Sequence, residues 1–376
     1  MEKAGSTPRR RLVRRPRVGG WLLVLSASGL VTLLAVAGAP RGDDEGGPEK
    51  GRPFGQAASD DQQAPVWSLA FAPDDTGLAS ATVSGEVWLK DLGGRPQELI
   101  QRGVMGSAPS VAFAPDRRAL AIGGVGPAVR ILDTVSGEDL EPLRPDGVHN
   151  ARLVAFSRDG RHVAAGGFGS IVTIWDWESR RRLGTVGGHH GGITALAFSS
   201  DGARLATGDP TGLVKLTEVP AGKVRTSFRA HSLGHGVTTL AYSPDGTLVA
   251  TASYLEPAVR LWGAADGGSR GQIPMGGSSV RALAFSPTRA LLALAQEDGA
   301  AILWGIADSR VLGTVRANHR GFQAIAFSGD GRMLATGGTD GRVRVWDLEQ
   351  VLDTGTRVGP GEVPPGPPSP TGSPVR

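Results

Sequence analysis

A spacing constrains this chain more than any other feature. Seven aromatic residues, Phe71, Phe113, Phe156, Phe198, Tyr242, Phe285 and Phe327, follow one another at intervals of 42, 43, 42, 44, 43 and 42 residues. Each closes a short alternating apolar run, as in AIAFS. A turn follows, then a run of small apolar residues such as MLATGG, a second turn, and a third alternating run such as RVRVWD. Self-similarity at a fixed period near 42 residues means one supersecondary unit copied seven times.

Alternation with period two predicts strands. In AIAFS, Ile325 and Phe327 point one way and Ala326 the other. In RVRVW, Val343 and Val345 are expected to face the core, and Arg342 and Arg344 to face out. Asp-Gly pairs at Asp159, Asp201, Asp245 and Asp330 supply the positive-φ residue of a tight hairpin. A weaker fourth run follows each third one, as in RLGTVGG (182–188) or RVLGTVRAN (310–318). Four antiparallel strands make a sheet whose two faces and two edges need cover. Stacking the copies radially covers the faces and protects the edges.

The repetition also decides how the acid-rich stretch GDGRMLATGGTDGRVRVWDLE (329–349) is read. Alone it suggests a metal loop or a carboxylate pair for acid–base work. Its Asp-Gly turns recur in sister copies, so they are spread around the structure and do not converge as a catalytic pair. None has the spacing of a calcium loop. A GxSxG elbow is absent, and GGVG (123–126) lacks the Lys-Ser/Thr of a phosphate loop. Of the seven histidines, His149, His189, His190, His231, His235 and His319 lie in segments entering a copy, and no acidic or Cys ligand nearby completes a metal set. They read as bracing or exposed imidazoles. With no cysteine, disulfides, thiolate catalysis and a lipoprotein anchor are excluded. The expectation is a protein without catalytic residues, cofactor or metal.

Trp175-Asp176, Trp346-Asp347, the turns SSDG (199–202) and SPDG (243–246), and Gly188-His189 give these copies a recognisable character. Through them the chain resembles the WD-repeat β-propeller family, over about three quarters of its length. The resemblance implies an all-β, seven-bladed propeller spanning residues 64–355 that mediates protein–protein interaction and is not an enzyme. It also implies a hydrogen-bonded tetrad, complete in the seventh copy as His319, Thr336, Asp340 and Trp346. Partial tetrads are implied elsewhere. The fourth copy has His189 and Thr207, with Thr211 and Thr217 at the acid and indole positions. The sixth has Asp298 and Trp304, with Leu294 for the hydroxyl; the third and fifth have Trp175 and Trp262. The second copy departs furthest, with Ile122, Gly126 and Leu132. In this family the outer strand of the last blade often comes from the other chain end. RPFG (52–55) is favoured for that role over residues 351–358. The family's loops between second and third strands share a face with the loops entering each blade. Here they hold Phe168, Tyr254, Leu255, Glu297 and Arg320, candidate contacts for a protein partner. A loop aromatic tucked into its own blade is the competing reading.

The ends carry an address. Residues 1–20 hold +6 of a net charge of +4, leaving about −2 for the rest, so no basic nucleic-acid surface is indicated. Residues 21–39, WLLVLSASGLVTLLAVAGA, contain no charge and as a helix would reach about 28 Å. Six arginines precede them and Asp43, Asp44 and Glu45 follow, which predicts the N-terminus inside and the body outside the cytoplasm. A retained single-pass anchor and a cleaved secretory signal both fit. The length favours the anchor; Ala35-Val36-Ala37 and Ala37-Gly38-Ala39 offer cleavage sites. PRRRLV (8–13) resembles a twin-arginine export signal, a bacterial feature. Residues 40–63 read as a linker that supplies a closing strand, and residues 356–376 as a Pro-rich tail without packed structure. The expectation is a membrane-tethered scaffold with a monomeric propeller. Its alternatives are a soluble secreted or periplasmic scaffold and an exported hydrolase or lyase using the central channel.

Overall fold

The computed structural model describes residues 60–61, 64–93, 98–101, 110–124, 126–145, 150–232, 234–316 and 321–353. The chain divides into two compact units, Met1–Asp44 and Glu45–Arg376, and every described residue lies in the second. That unit contains seven four-stranded antiparallel sheets. The first strands are Val66–Phe71, Val111–Phe113, Leu153–Phe156, Ala195–Phe198, Thr239–Tyr242, Val280–Phe285 and Phe322–Phe327. Each packs beside the next, and Phe322–Phe327 packs back against Val66–Phe71, so the sheets close a ring. This is a seven-bladed β-propeller, one blade per sequence copy.

The core is not central. It is divided among seven wedges, one between each pair of neighbouring blades. Ile131, Val163 and Trp175 fill the wedge between blades two and three. Val214, Leu240 and Trp262 fill that between four and five. Leu303, Phe322 and Leu334 fill that between six and seven. A sheet between two wedges is covered on both faces, which is why second strands such as LLALAQ (Leu291–Gln296) are buried at every position. The two-faced burial corrects one sequence expectation. Arg344 does not face out: its side chain is 12% exposed and its Nη2 lies 2.6 Å from Asp340 Oδ2.

The turns between first and second strands share one network. In blade five, Ser243 Oγ donates to Asp245 Oδ1 and accepts the Leu248 N–H at 2.9 Å, while Asp245 Oδ1 accepts the Thr247 N–H at 3.1 Å. Gly246 supplies the left-handed backbone, φ 69°. The same bonds recur at Ser157–Asp159, Ser199–Asp201 and Ser328–Asp330. These aspartates are turn elements, each with its Oδ1 bound within its own turn.

The fourth strand of the seventh sheet comes from the N-terminal side of the ring: Asp60 pairs with Val343 and Asp61 with Arg342. RPFG (52–55) lies outside the described residues. The other candidate segment is helical where described. Leu348–Asp353 is a short helix that buries Leu348 and Val351 against the sixth blade's outer strand, Arg310–Arg316. A second closure lies at the turns, where Asp75 accepts the N–H groups of Gly329 (2.5 Å) and Asp330 (2.8 Å). Among the described residues no helix is long and apolar enough to cross a membrane; residues 21–39 lie outside them.

Candidate functional site

Polar side chains of the second and third strands and of the loop entering the blade form tetrads, and the complete one among the described residues is in the fifth blade. Trp262 Nε1–H donates to Thr251 Oγ1 at 2.9 Å. Thr251 Oγ1 lies 3.0 Å from His231 Nε2, and His231 Nδ1 lies 2.9 Å from Glu256 Oε2. An ionised carboxylate only accepts, so His231 carries its proton on Nδ1 and its Nε2 accepts from the threonine hydroxyl. The result is one directed chain, indole to hydroxyl to imidazole to carboxylate. Burial lowers the His231 pKa from 6.5 despite the opposing pull of Glu256, so the imidazole is neutral. Burial opposes ionisation of Glu256, but bonds from His231, the Ser232 N–H and His235 outweigh it and hold its pKa at about 2. Arg260 adds an ion pair at 2.9 Å.

The fourth blade has the same chain without its indole. His189 Nε2 is 2.8 Å from Thr207 Oγ1, and His189 Nδ1 is 3.1 Å from Asp209 Oδ2. The acid is Asp209, not the position of Thr211; Thr211 Oγ1 donates to Asp209 Oδ1 at 2.7 Å. Burial works against the Asp209 charge, yet these bonds hold its carboxyl well below the usual range. Thr217, at the indole position, is fully buried with its hydroxyl unpartnered among the described residues.

In the seventh blade Trp346 Nε1–H donates to Thr336 Oγ1 at 2.9 Å. Asp340 is engaged by Arg344 and by the Arg342 N–H at 3.1 Å. His319 and Arg320 lie outside the described residues. In the sixth blade Asp298 lies 3.8 Å from Arg316, Leu294 fills the hydroxyl position and Trp304 packs in the neighbouring wedge. Trp175 of the third blade packs in the wedge beside blade two.

Counting by fixed offset finds Thr251, nine residues after Tyr242, but misses His231, Glu256 and Asp209. The fifth copy has one extra residue before its Trp, taken up where the register shifts between Ala252 and Ser253. The shift moves the acid from the position of Leu255 to Glu256. The 20-residue gap between Tyr242 and Trp262 carried that signal. These acids also revise the reading of the entry histidines: His189 and His231 do have carboxylate partners, spent on bracing. No group of three or more His, Cys, Asp or Glu fit to hold a metal ion occurs among the described residues.

The tetrads fix the loops on the second-to-third-strand end of the ring, and the candidate contacts stand there. Leu255 is 58% exposed and Phe168 49%. Tyr254 is held between blades: Arg281 stacks over its ring at 3.8 Å, its hydroxyl lies 3.2 Å from Glu297 Oε1, and its carbonyl accepts from Ser279 Oγ at 2.7 Å. Arg281 Nη2 also pairs with Glu297 Oε1 at 2.9 Å. Phe168 stands under the Arg152 guanidinium, 5.2 Å away. Leu255 and Phe168 are therefore presented from the face, while Tyr254 and Glu297 form the frame beside Leu255.

A ring of seven four-stranded blades, the fifth braced by an indole–hydroxyl–imidazole chain, defines a seven-bladed β-propeller. Four segments, residues 149–176, 180–217, 222–262 and 310–347, match the family described as "WD domain, G-beta repeat". The chain is 30% identical over 80 residues to Autophagy-related protein 18 of Schizosaccharomyces pombe, covering 21% of each chain. It is 28% identical over 133 residues to Protein HIR1 of Candida albicans, covering 32% of this chain and 15% of that one. It is 28% identical over 119 residues to human Apoptotic protease-activating factor 1, covering 30% and 9%. The chain thus spans about a fifth or less of the length of these relatives. The four matched segments are similar to WD repeats, and each falls on blades of the ring.

Proposed function

We propose that this protein is a non-catalytic interaction scaffold whose protein partner docks on the loop face carrying Leu255 and Phe168. One observation carries the reading: a large apolar side chain, Leu255, stands 58% exposed on a frame held rigid by the Tyr254–Arg281–Glu297 contacts. An exposed apolar anchor on a preorganised base is what a hot spot requires. The further proposal is that residues 21–39 tether the ring to the cytoplasmic membrane with the propeller outside. The support is the uncharged 19-residue run and the arginines before it.

A pull-down with the tagged full chain tests the docking. Leu255→Asp and Phe168→Asp are expected to abolish capture of the partner, while Val135→Asp, an exposed apolar residue in the third-to-fourth-strand turn of blade two, leaves it intact. Loss with all three, or with none, removes the docking face. Turnover of a substrate by the purified chain alone would overturn the scaffold reading. For the tether, N-terminal sequencing of the membrane-bound protein is expected to read the intact arm; a start after Ala37 or Ala39 would make it a secreted scaffold.

A further inference from the structure

The loop face carries two arginines at one place in the repeat. Arg281 stands four residues before Phe285, and Arg152 four before Phe156. Twelve residues after the same aromatics come Glu297 and Phe168, in the loops between second and third strands. The two hairpins share a register: Ala282 pairs with Ala295 in blade six, and Leu153 with Gly166 in blade three. The sites are one piece of architecture with different side chains.

In blade six the arginine is satisfied. Arg281 Nη2 pairs with Glu297 Oε1 at 2.9 Å, and its guanidinium stacks on Tyr254 at 3.8 Å. In blade three Phe168 holds the place of the acid. Arg152 keeps a ring contact, 5.2 Å to the Phe168 centroid, but has no ion pair or side-chain hydrogen bond among the described residues. Burial pulls its pKa below the ordinary arginine value, and no described carboxylate pulls it back. Arginine stays protonated all the same, so a half-buried cation stands without a counter-charge. The loops beside it cannot supply one. A Cβ at Gly123 would lie 2.6 Å from Arg152 O, and one at Gly167 would lie 2.8 Å from Arg152 N, so neither position has room for a side chain. Unlike Arg281 Nε, none of the Arg152 nitrogens is sealed from solvent, and a group from outside can reach them.

We propose that the partner on the loop face presents a carboxylate, from an aspartate or glutamate beside an apolar residue, which pairs with Arg152 while the apolar residue packs on Phe168. This rests on the docking reading above and names what docks. The partner's acid does for Arg152 what Glu297 does for Arg281. A guanidinium matches a carboxylate through two parallel N–H donors. Phe168, 49% exposed, gives the pair an apolar rim that keeps water away.

A random dodecapeptide phage library panned on the immobilised full chain is the probe. Aspartate or glutamate next to leucine, isoleucine or phenylalanine is expected to be enriched. The enrichment is lost on Arg152→Gln and kept on Arg158→Gln, an exposed arginine in the first-to-second-strand turn of the same blade. For one enriched peptide, fluorescence anisotropy is expected to show binding weaker by about tenfold or more with Arg152→Gln, as loss of a charge-assisted bond predicts. Glutamine for the peptide's acid, a change that leaves the protein's fold untouched, costs the same factor, and combining the two adds no further loss. Losses that multiply overturn the proposal, because the arginine and the acid then act apart. Acids enriched equally on the parent and on Arg152→Gln overturn it, as does a library without acid enrichment. A phosphoserine in the acid's place that binds about tenfold tighter assigns the site to a phosphorylated segment and overturns the carboxylate. Asp146 lies outside the described residues. If Asp146→Asn tightens peptide binding about tenfold, the chain's own acid holds Arg152 and the proposal falls. If acids are not enriched while Leu255→Asp still abolishes capture of the partner, the docking face stands and the carboxylate alone falls.

Discussion

At the scale of single residues, the tetrads set both stability and its pH dependence. Thr251 Oγ1 is the shared atom of the fifth blade, so Thr251→Val leaves the Trp262 N–H and His231 Nε2 buried without partners. A loss of about 2–4 kcal/mol in urea unfolding is expected, from two groups at about 1–3 kcal/mol each with partial relaxation. Thr217→Val removes a hydroxyl already unpartnered, so it is expected to be neutral or stabilising by up to about 1 kcal/mol in the same measurement. Trp346→Ala should cost about 3–5 kcal/mol and alter binding only through unfolding. Glu256 (pKa about 2 against 4.5) and His231 (lowered from 6.5) both favour the fold in their deprotonated forms. Their stabilisation is full above about pH 6.5. It falls as pH drops, first as the unfolded imidazole protonates and then, from about 4.5 towards 2, as the carboxylate does. Glu256→Gln should lower the urea midpoint at pH 7 and flatten its decline between pH 4.5 and 2; an unchanged slope would remove Glu256 from the acid response.

At the scale of the element, the blades are unequal at their outer edges. The fourth blade's third strand, Leu213–Glu218, is covered by the seven-residue strand Lys223–Arg229. Among the described residues, the seventh blade's third strand, Arg342–Asp347, is paired on that side by the two-residue strand Asp60–Asp61. Short pairing leaves outer-facing amides open to local fluctuation. Hydrogen exchange read by mass spectrometry is expected to be faster across residues 342–347 than across 213–218; equal protection would show that the two-residue strand closes the blade as firmly as a long one. Strand identity was legible in the sequence because alternation and Asp-Gly turns are local. The direction of each side chain was less so. Arg344 alternates like a solvent residue, but the neighbouring blade covers that face, and Asp340 four residues earlier neutralises it. The Glu256 tetrad was hidden for a similar reason: a one-residue bulge shifts register, and fixed counting does not see it.

At the scale of the whole molecule, closure is the contact that joins the two ends of the ring, whose other contacts join sequence neighbours. Asp75 in the first blade grips two backbone N–H groups of the seventh blade's turn across more than 250 residues. Asp75→Ala is expected to cost about 1–3 kcal/mol, with exchange protection lost first in blades one and seven. Uniform loss across all blades would mean that the ring opens nowhere in particular.

Seven copies at a 42–44-residue spacing determined the number of blades, their all-β character and the structural role of the Asp-Gly turns, because these depend on period and turn chemistry within a copy. The tertiary structure decided the rest. It chose which acid meets each histidine, paired Arg344 with Asp340 and raised Leu255 on its frame. Each of these depends on what the neighbouring blade or a shifted register brings to the same point in space, and no single copy of the repeat contains that information.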